Sequence, residues 1–129
     1  MAVDDDDPDA AFYRHGLAEG RLLIQRCDAC GRVRFPPLPS CPYCGTRLAS
    51  VVAANGTGHV YSWVTVRQAL TPEPAGDVPY AIAVVQLDEG CRVLGRMREI
   101  DGVACELPVQ VVVAERDGDR YLEFVRPGA

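Results

Sequence analysis

The sequence predicts a mainly β protein in three parts: an acidic tail and arm helix over residues 1–20, a rubredoxin-like zinc ribbon over 21–50, and a C-terminal five-stranded OB-type barrel over 51–129. Three observations predict it. Two Cys-x-x-Cys pairs, Cys27/Cys30 and Cys41/Cys44, stand ten residues apart. From Gly58 onward, short runs alternate apolar and polar residues at the period of a half-buried strand. Asp88-Glu89-Gly90 and Asp117-Gly118 between those runs are hairpin links in which glycine supplies the turn conformation.

Taken in order, Met1 to Pro8 is an acidic stretch too polar to pack, and disorder is expected there. A short helix should follow. Pro8 suits a first turn, the aspartates favour the positive end of the helix dipole, and Gly20 is a stop signal. Phe12, Tyr13 and Leu17 give this helix an apolar stripe, while an interior Gly16 weakens it in isolation. So short a helix holds only when docked, either on its own chain or on a partner.

Arg21 to Arg26 and Arg32 to Phe35 read as strands flanking the first cysteine pair, with Pro36, Pro37 and Pro39 stiffening the path to the second. Cys27, Cys30, Cys41 and Cys44 can occupy the four corners of a tetrahedron, the geometry of a structural zinc. Gly31 and Gly45 each follow a second thiolate, where the chain must turn sharply. Rival readings are two disulfides, a redox pair and a rubredoxin-type iron site. Disulfides suit secreted chains, a redox motif uses one pair, and ten residues is short for a rubredoxin loop. About thirty residues cannot build a sufficient core, so metal must supply much of the folding free energy. Loss of one ligand is then expected to unfold the ribbon before the barrel. Arg26, Arg32, Arg34 and Arg47 flank the site and are expected to offset its negative charge.

Beyond the ribbon, extended runs cover Val51–Ala54, Gly58–Leu70, Tyr80–Leu87, Arg92–Met97, Val109–Glu115 and Arg120–Val125, the last five forming the barrel. Strict alternation in the long strand would put Val60, Ser62, Val64 and Val66 inside and His59, Tyr61, Trp63, Thr65 and Arg67 outside. In the strand 92–97, Val93, Gly95 and Met97 should point inward and Arg92, Leu94, Arg96 and Arg98 outward.

The formal charge of −5 is carried by Asp4, Asp5, Asp6, Asp7 and Asp9, leaving thirteen acids against thirteen bases, all arginine. A near-neutral body is a poor footprint for a nucleic-acid binder. The chain lacks a basic and apolar leader and any apolar run of about 18 residues, which predicts a cytoplasmic protein with no membrane segment. In a reducing cytoplasm, Cys91 and Cys105 are expected as small buried free thiols.

The aromatic arm followed by Gly20-Arg21-Leu22-Leu23, the Cys-x-x-Cys-Gly to Cys-Pro-x-Cys-Gly ribbon, Gly56-Thr57-Gly58-His59-Val60-Tyr61-Ser62, and Pro79-Tyr80 before a strand ending Leu87-Asp88-Glu89-Gly90 together carry a resemblance. In that order they resemble the acyl-CoA-associated zinc-ribbon and OB-fold family, domain of unknown function 35. One departure is Glu106-Leu107, where the family often has Gly-Met. The resemblance implies one structural zinc on the four paired cysteines. It also implies a non-catalytic accessory subunit, working in a hetero-oligomer with a thiolase-like enzyme or hydratase in lipid or steroid acyl-CoA metabolism, with acyl-CoA as a ligand shared with the partner.

The residues agree with a non-catalytic role. No Gly-x-Ser-x-Gly elbow is present, His15 and His59 lie far apart, and four thiolates leave the metal no open position for water. Arg67, Tyr80, Arg92 and Arg96 are the expected acyl-CoA or partner contacts, since arginine forks pair phosphate oxygens. Phe12, Tyr13, Leu17, Tyr61 and Trp63 are the expected docking residues. The alternative function is a single-stranded nucleic-acid binder using stacking aromatics on an OB barrel. An independent enzyme comes third.

Overall fold

The computed structural model describes residues 10–68 and 78–127 of the chain. The expectations for Met1 to Pro8 and for the end of the long strand at Leu70 lie outside these residues. Among the described residues, one short helix, α1 (Ala11–Ala18), precedes eight strands in two sheets. Leu17 is buried, Tyr13 lies with its ring centroid 5.3 Å from that of Phe35, and the Leu17 carbonyl accepts a hydrogen bond from Arg120. The apolar stripe is therefore covered largely by its own chain. Gly16 has a reason to be glycine: a Cβ there would meet Leu23 Cγ at 2.7 Å and the Arg21 carbonyl oxygen at 2.9 Å.

The ribbon sheet has the order β2 (Val33–Arg34), β1 (Leu23–Cys27), β3 (Ala49–Ala53), all antiparallel. β3 pairs with β1 from Ala49 opposite Cys27 to Ala53 opposite Leu23, so the expected boundary between residues 50 and 51 falls inside a ribbon strand. A closed barrel follows, ordered β4 (Thr57–Val66), β5 (Tyr80–Leu87), β6 (Arg92–Met97), β8 (Asp119–Val125), β7 (Pro108–Arg116), with β7 returning to β4. The β6–β8 contact is parallel and the other contacts are antiparallel. Closure removes the exposed sheet edges that a five-stranded open sheet would carry.

One core serves both sheets. Leu17 of the arm and Leu22 and Ile24 of the ribbon cluster with Val60, Val85, Leu87, Val93, Val109, Leu122 and Phe124 of the barrel. Val33, Phe35 and Val52 pack against the same cluster.

The long strand departs from strict alternation. Val60 pairs with Val85, but Ser62 pairs with Val84, leaving Tyr61 as the extra residue of a β-bulge. Facing residues of a ladder point to the same side, so the phase flips at Tyr61. Val60 is inside with Val85, whereas beyond the bulge Trp63 and Thr65 share the phase of the buried Ala83 and Ala81. Ser62, Val64 and Val66 therefore face outward with Val84, Ile82 and Tyr80, opposite to the expected assignment. β6 follows expectation, with Val93 and Met97 buried.

Candidate metal centre and outer barrel face

The two cysteine pairs converge because the turn after β1 and the loop before β3 are clamped to each other. The Cys27 amide donates to the Arg32 carbonyl, the Cys41 amide to the Thr46 carbonyl, and the Asp28 amide to the Leu48 carbonyl. Gly31 and Gly45 take φ of 77° and 82°, the left-handed turn each knuckle requires. All four Sγ atoms lie within 4.8 Å of one another, with Cys27–Cys44 at 3.5 Å and Cys30–Cys41 at 3.7 Å. A tetrahedron with metal–sulfur bonds of about 2.3 Å has edges of about 3.8 Å, so the set fits zinc. Amides of Cys30 and Tyr43 point at Cys27 and Cys41 sulfur, each at 3.4 Å, as in a thiolate site held by backbone dipoles.

The sulfurs differ as acids. The amide of Cys30 pulls the Cys27 thiol below its ordinary value against the effect of burial. Burial raises Cys41, but the amides of Cys44 and Tyr43 and the neighbouring thiols outweigh it and bring it down to about 6. At Cys44 the Thr46 amide lowers the value, and contacts with Cys27 and the other thiols, together with burial, push it up to about 11. A divalent cation among the four removes this inequality by favouring every thiolate.

Of the flanking arginines, Arg32 lies 4.6 Å over the Tyr43 ring, joining the two knuckles. Arg34 is 5% exposed and is committed to Gln25 Oε1 and the Leu38 carbonyl, tying the proline segment to β1. It serves the ribbon fold through these bonds. Cys91 is buried and Cys105 exposed, against the expectation of two buried thiols; both are free. Burial, with the Glu89 charge adding to it, pushes Cys91 up to about 11. Cys105 sits on the surface loop before β7, its sulfur 3.6 Å from the Tyr61 carbonyl.

The remaining sequence-derived residues form two arginine–tyrosine stacks, with Arg67, Phe12 and Trp63 standing apart from both. Arg96 lies 4.4 Å over the Tyr80 ring, and this pair lines a groove of about 710 Å³ with Tyr13, Leu17, Phe35 and Arg120. Burial raises the Tyr13 phenol. Arg92 lies 3.7 Å over the Tyr61 ring and donates through Nε to Gln86. Arg67 is exposed one residue past β4, Phe12 is half-buried, and Trp63 is 39% exposed on a different face from Tyr61. Leu94, expected outward on β6, lines the groove beside Arg96, whereas Phe35, Val64 and Ile82 were not anticipated on this surface. Phe35 reaches the groove from the ribbon, which only the shared core reveals, and Val64 reaches the surface only through the bulge.

A closed tetrathiolate site on a three-stranded ribbon, packed on a closed five-stranded barrel, defines a zinc-ribbon and OB-fold protein. Family models match in that order: the ChsH2 rubredoxin-like zinc ribbon domain over residues 14–49 and the ChsH2 C-terminal OB-fold domain over residues 51–114. The chain belongs to this ChsH2-type family, also called DUF35.

Similarity extends to proteins of several enzyme systems. The chain is 39% identical over 121 residues to the probable enoyl-CoA hydratase alpha subunit of Thermomonospora curvata, matching 92% of this chain and only 37% of that one. It is 30% identical to the benzoylsuccinyl-CoA thiolase subunit BbsA of Thauera aromatica, over 91% of this chain and 88% of that one. A solved Ltp2-ChsH2(DUF35) aldolase contains a chain that superposes with a TM-score of 0.84 at 35% identity, covering 98% of this chain and 100% of its counterpart.

Proposed function

We propose that this protein is a non-catalytic accessory subunit that associates, in the cytoplasm, with a thiolase-like aldolase, thiolase or hydratase and helps form or stabilise its acyl-CoA site. The observation that carries the reading is the end-to-end likeness to the chain of the Ltp2-ChsH2(DUF35) aldolase, supported by the thiolase-subunit relative of similar length. The chemistry of the chain agrees: a four-thiolate zinc is coordinatively closed, so it holds the fold and leaves substrate activation to another subunit. No helix among the described residues is long and apolar enough to cross a membrane.

Within this reading, Arg67, Tyr80, Arg92 and Arg96 are the candidate acyl-CoA or partner contacts. Stacking on Tyr61 and Tyr80 holds the Arg92 and Arg96 guanidinium groups flat, which lowers the entropy lost when a fork closes on phosphate. Of the expected docking residues, Tyr61 and Trp63 keep exposed surface and Phe12 keeps part of its own, while Leu17 and much of Tyr13 are occupied by the chain's own core.

Co-expression with a thiolase-like subunit from the same organism should give a complex that survives size-exclusion chromatography and turns over an acyl-CoA thioester. The isolated chain should be inert on the same substrate. Turnover by the isolated chain, or a fully soluble and active enzyme subunit without it, would sink the reading. Single substitution of the four contacts should raise KM of the complex; no change in any would place the site on the enzyme subunit.

A further inference from the structure

We infer that the outward face of β4, β5 and β6 beyond the bulge is a protein-docking surface, whose partner presents an apolar knob flanked by a carboxylate that pairs with Arg92. The inference rests on the accessory-subunit reading and adds to it the surface used and the chemistry facing it.

The register builds this face in rows. Val64 stands beside Ile82, which stands beside Arg96; Ser62 stands beside Val84, which stands beside Leu94. Val64 is 59% exposed near the end of the long strand β4. It is outside only because Tyr61 adds one residue to β4 and reverses the alternation. The same residue supports the charge at the border. The exposed Tyr61 ring lies under the Arg92 guanidinium at 3.7 Å, and Gln86 accepts from Arg92 Nε, so the group is held from two sides. Among the described residues no carboxylate pairs with Arg92, and its terminal nitrogens are left to meet one. One bulge thus both exposes the apolar centre and positions the cation.

The chemistry selects a protein over a nucleic acid. A strand-binding OB face offers bare aromatic rings on which bases stack. Here the centre is aliphatic, made of Val64, Ile82, Val84 and Leu94, and one face of each of the Tyr61 and Tyr80 rings is taken by an arginine. An apolar centre bordered by tyrosine and arginine is the composition of a protein interface. The border position Arg92 is cationic and Ser62 and Gln86 are neutral, so the complementary border is acidic.

The test uses the full chain with the thiolase-like subunit of its own organism. Affinity is measured by calorimetry for wild type, Val64→Asp, Arg92→Glu and, as a remote control, Val51→Asp, on the exposed face of β3. Retained zinc and an unchanged melting curve establish that each variant is folded. Val64→Asp should weaken association at least about 30-fold and Arg92→Glu about 10-fold with a reduced salt dependence, while Val51→Asp leaves it unchanged. Wild-type affinity in Val64→Asp and Arg92→Glu, with the complex itself intact, overturns the surface and leaves the accessory role standing. Failure of the wild-type chain to bind overturns both. A dimer of the isolated chain that Val64→Asp converts to monomer, or oligonucleotide binding that Arg92→Glu abolishes, assigns the face to another occupant and overturns the inference.

Discussion

Glu106 is held in a conformation that its side chain disfavours, and its surroundings show why. Its φ is 71°, in the left-handed region, while its amide donates to the Val60 carbonyl at 2.8 Å and the Val60 amide donates to the Leu107 carbonyl at 2.9 Å. These two bonds tie the loop before β7 to β4, fixing the backbone whatever residue stands there. For a residue with a Cβ the conformation costs about 1–2 kcal/mol, against about 0.5–1 kcal/mol of extra unfolded-state entropy for glycine. The carboxylate gains little in return, since its contact with His59 is 3.7 Å and its side chain is 80% exposed. Glu106→Gly should therefore stabilise the chain by about 0.5–1 kcal/mol in urea unfolding. A loss of stability would mean that the Glu106 side chain supplies more than the strain it causes. The sequence shows Glu106-Leu107 ahead of Pro108, but it cannot show that the backbone there takes a left-handed conformation.

At the scale of elements, periodicity and spacing carry different amounts of information. The cysteine spacing made the metal centre legible, because two tight turns with glycines at fixed positions have few geometries open to them. The five barrel strands were legible from alternation and turn residues. The orientation of the long strand was not, because one bulge residue reverses every side chain after it and leaves no mark in composition. Likewise Val51 to Ala54 reads as an extended run, but its pairing with β1 is a long-range choice made by the core. The arm helix was legible as an element, and its docking site was not. Gly16 is the informative position. In an exposed helix, alanine there would gain about 1 kcal/mol of propensity. In this helix the added methyl would meet the Arg21 carbonyl oxygen at 2.9 Å as well as Leu23, and backbone cannot move aside as a side chain can. Gly16→Ala should cost about 1–3 kcal/mol and loosen the arm, seen as faster amide exchange at Leu17 to Gly20. A more stable Gly16→Ala would show that the arm is not seated against β1.

For the molecule as a whole, the question is whether the ribbon is a separate metal-held module or part of the barrel's own stability. Its thirty residues hold few apolar side chains, which led to the expectation that losing one metal ligand would unfold the ribbon ahead of the barrel. The shared core argues for tighter coupling: Ile24 is fully buried, Leu22 nearly so, and both cluster with barrel residues such as Val85 and Phe124. Burying each such side chain is worth about 1.5–3 kcal/mol. Leu22 and Ile24 together then represent about 3–6 kcal/mol, a large share of the roughly 5–15 kcal/mol that stabilises a domain of ordinary size. Zinc binding contributes about 10 kcal/mol or more to the folding of small tetrahedral sites, so its loss should release the ribbon and strip the barrel of this cover. Chelation of zinc, or Cys41→Ser, should accordingly lower the melting temperature of the entire chain and raise amide exchange in β5, β6 and β8 together with β1. Barrel amides that keep their wild-type protection after zinc is removed would show that the two sheets are held independently.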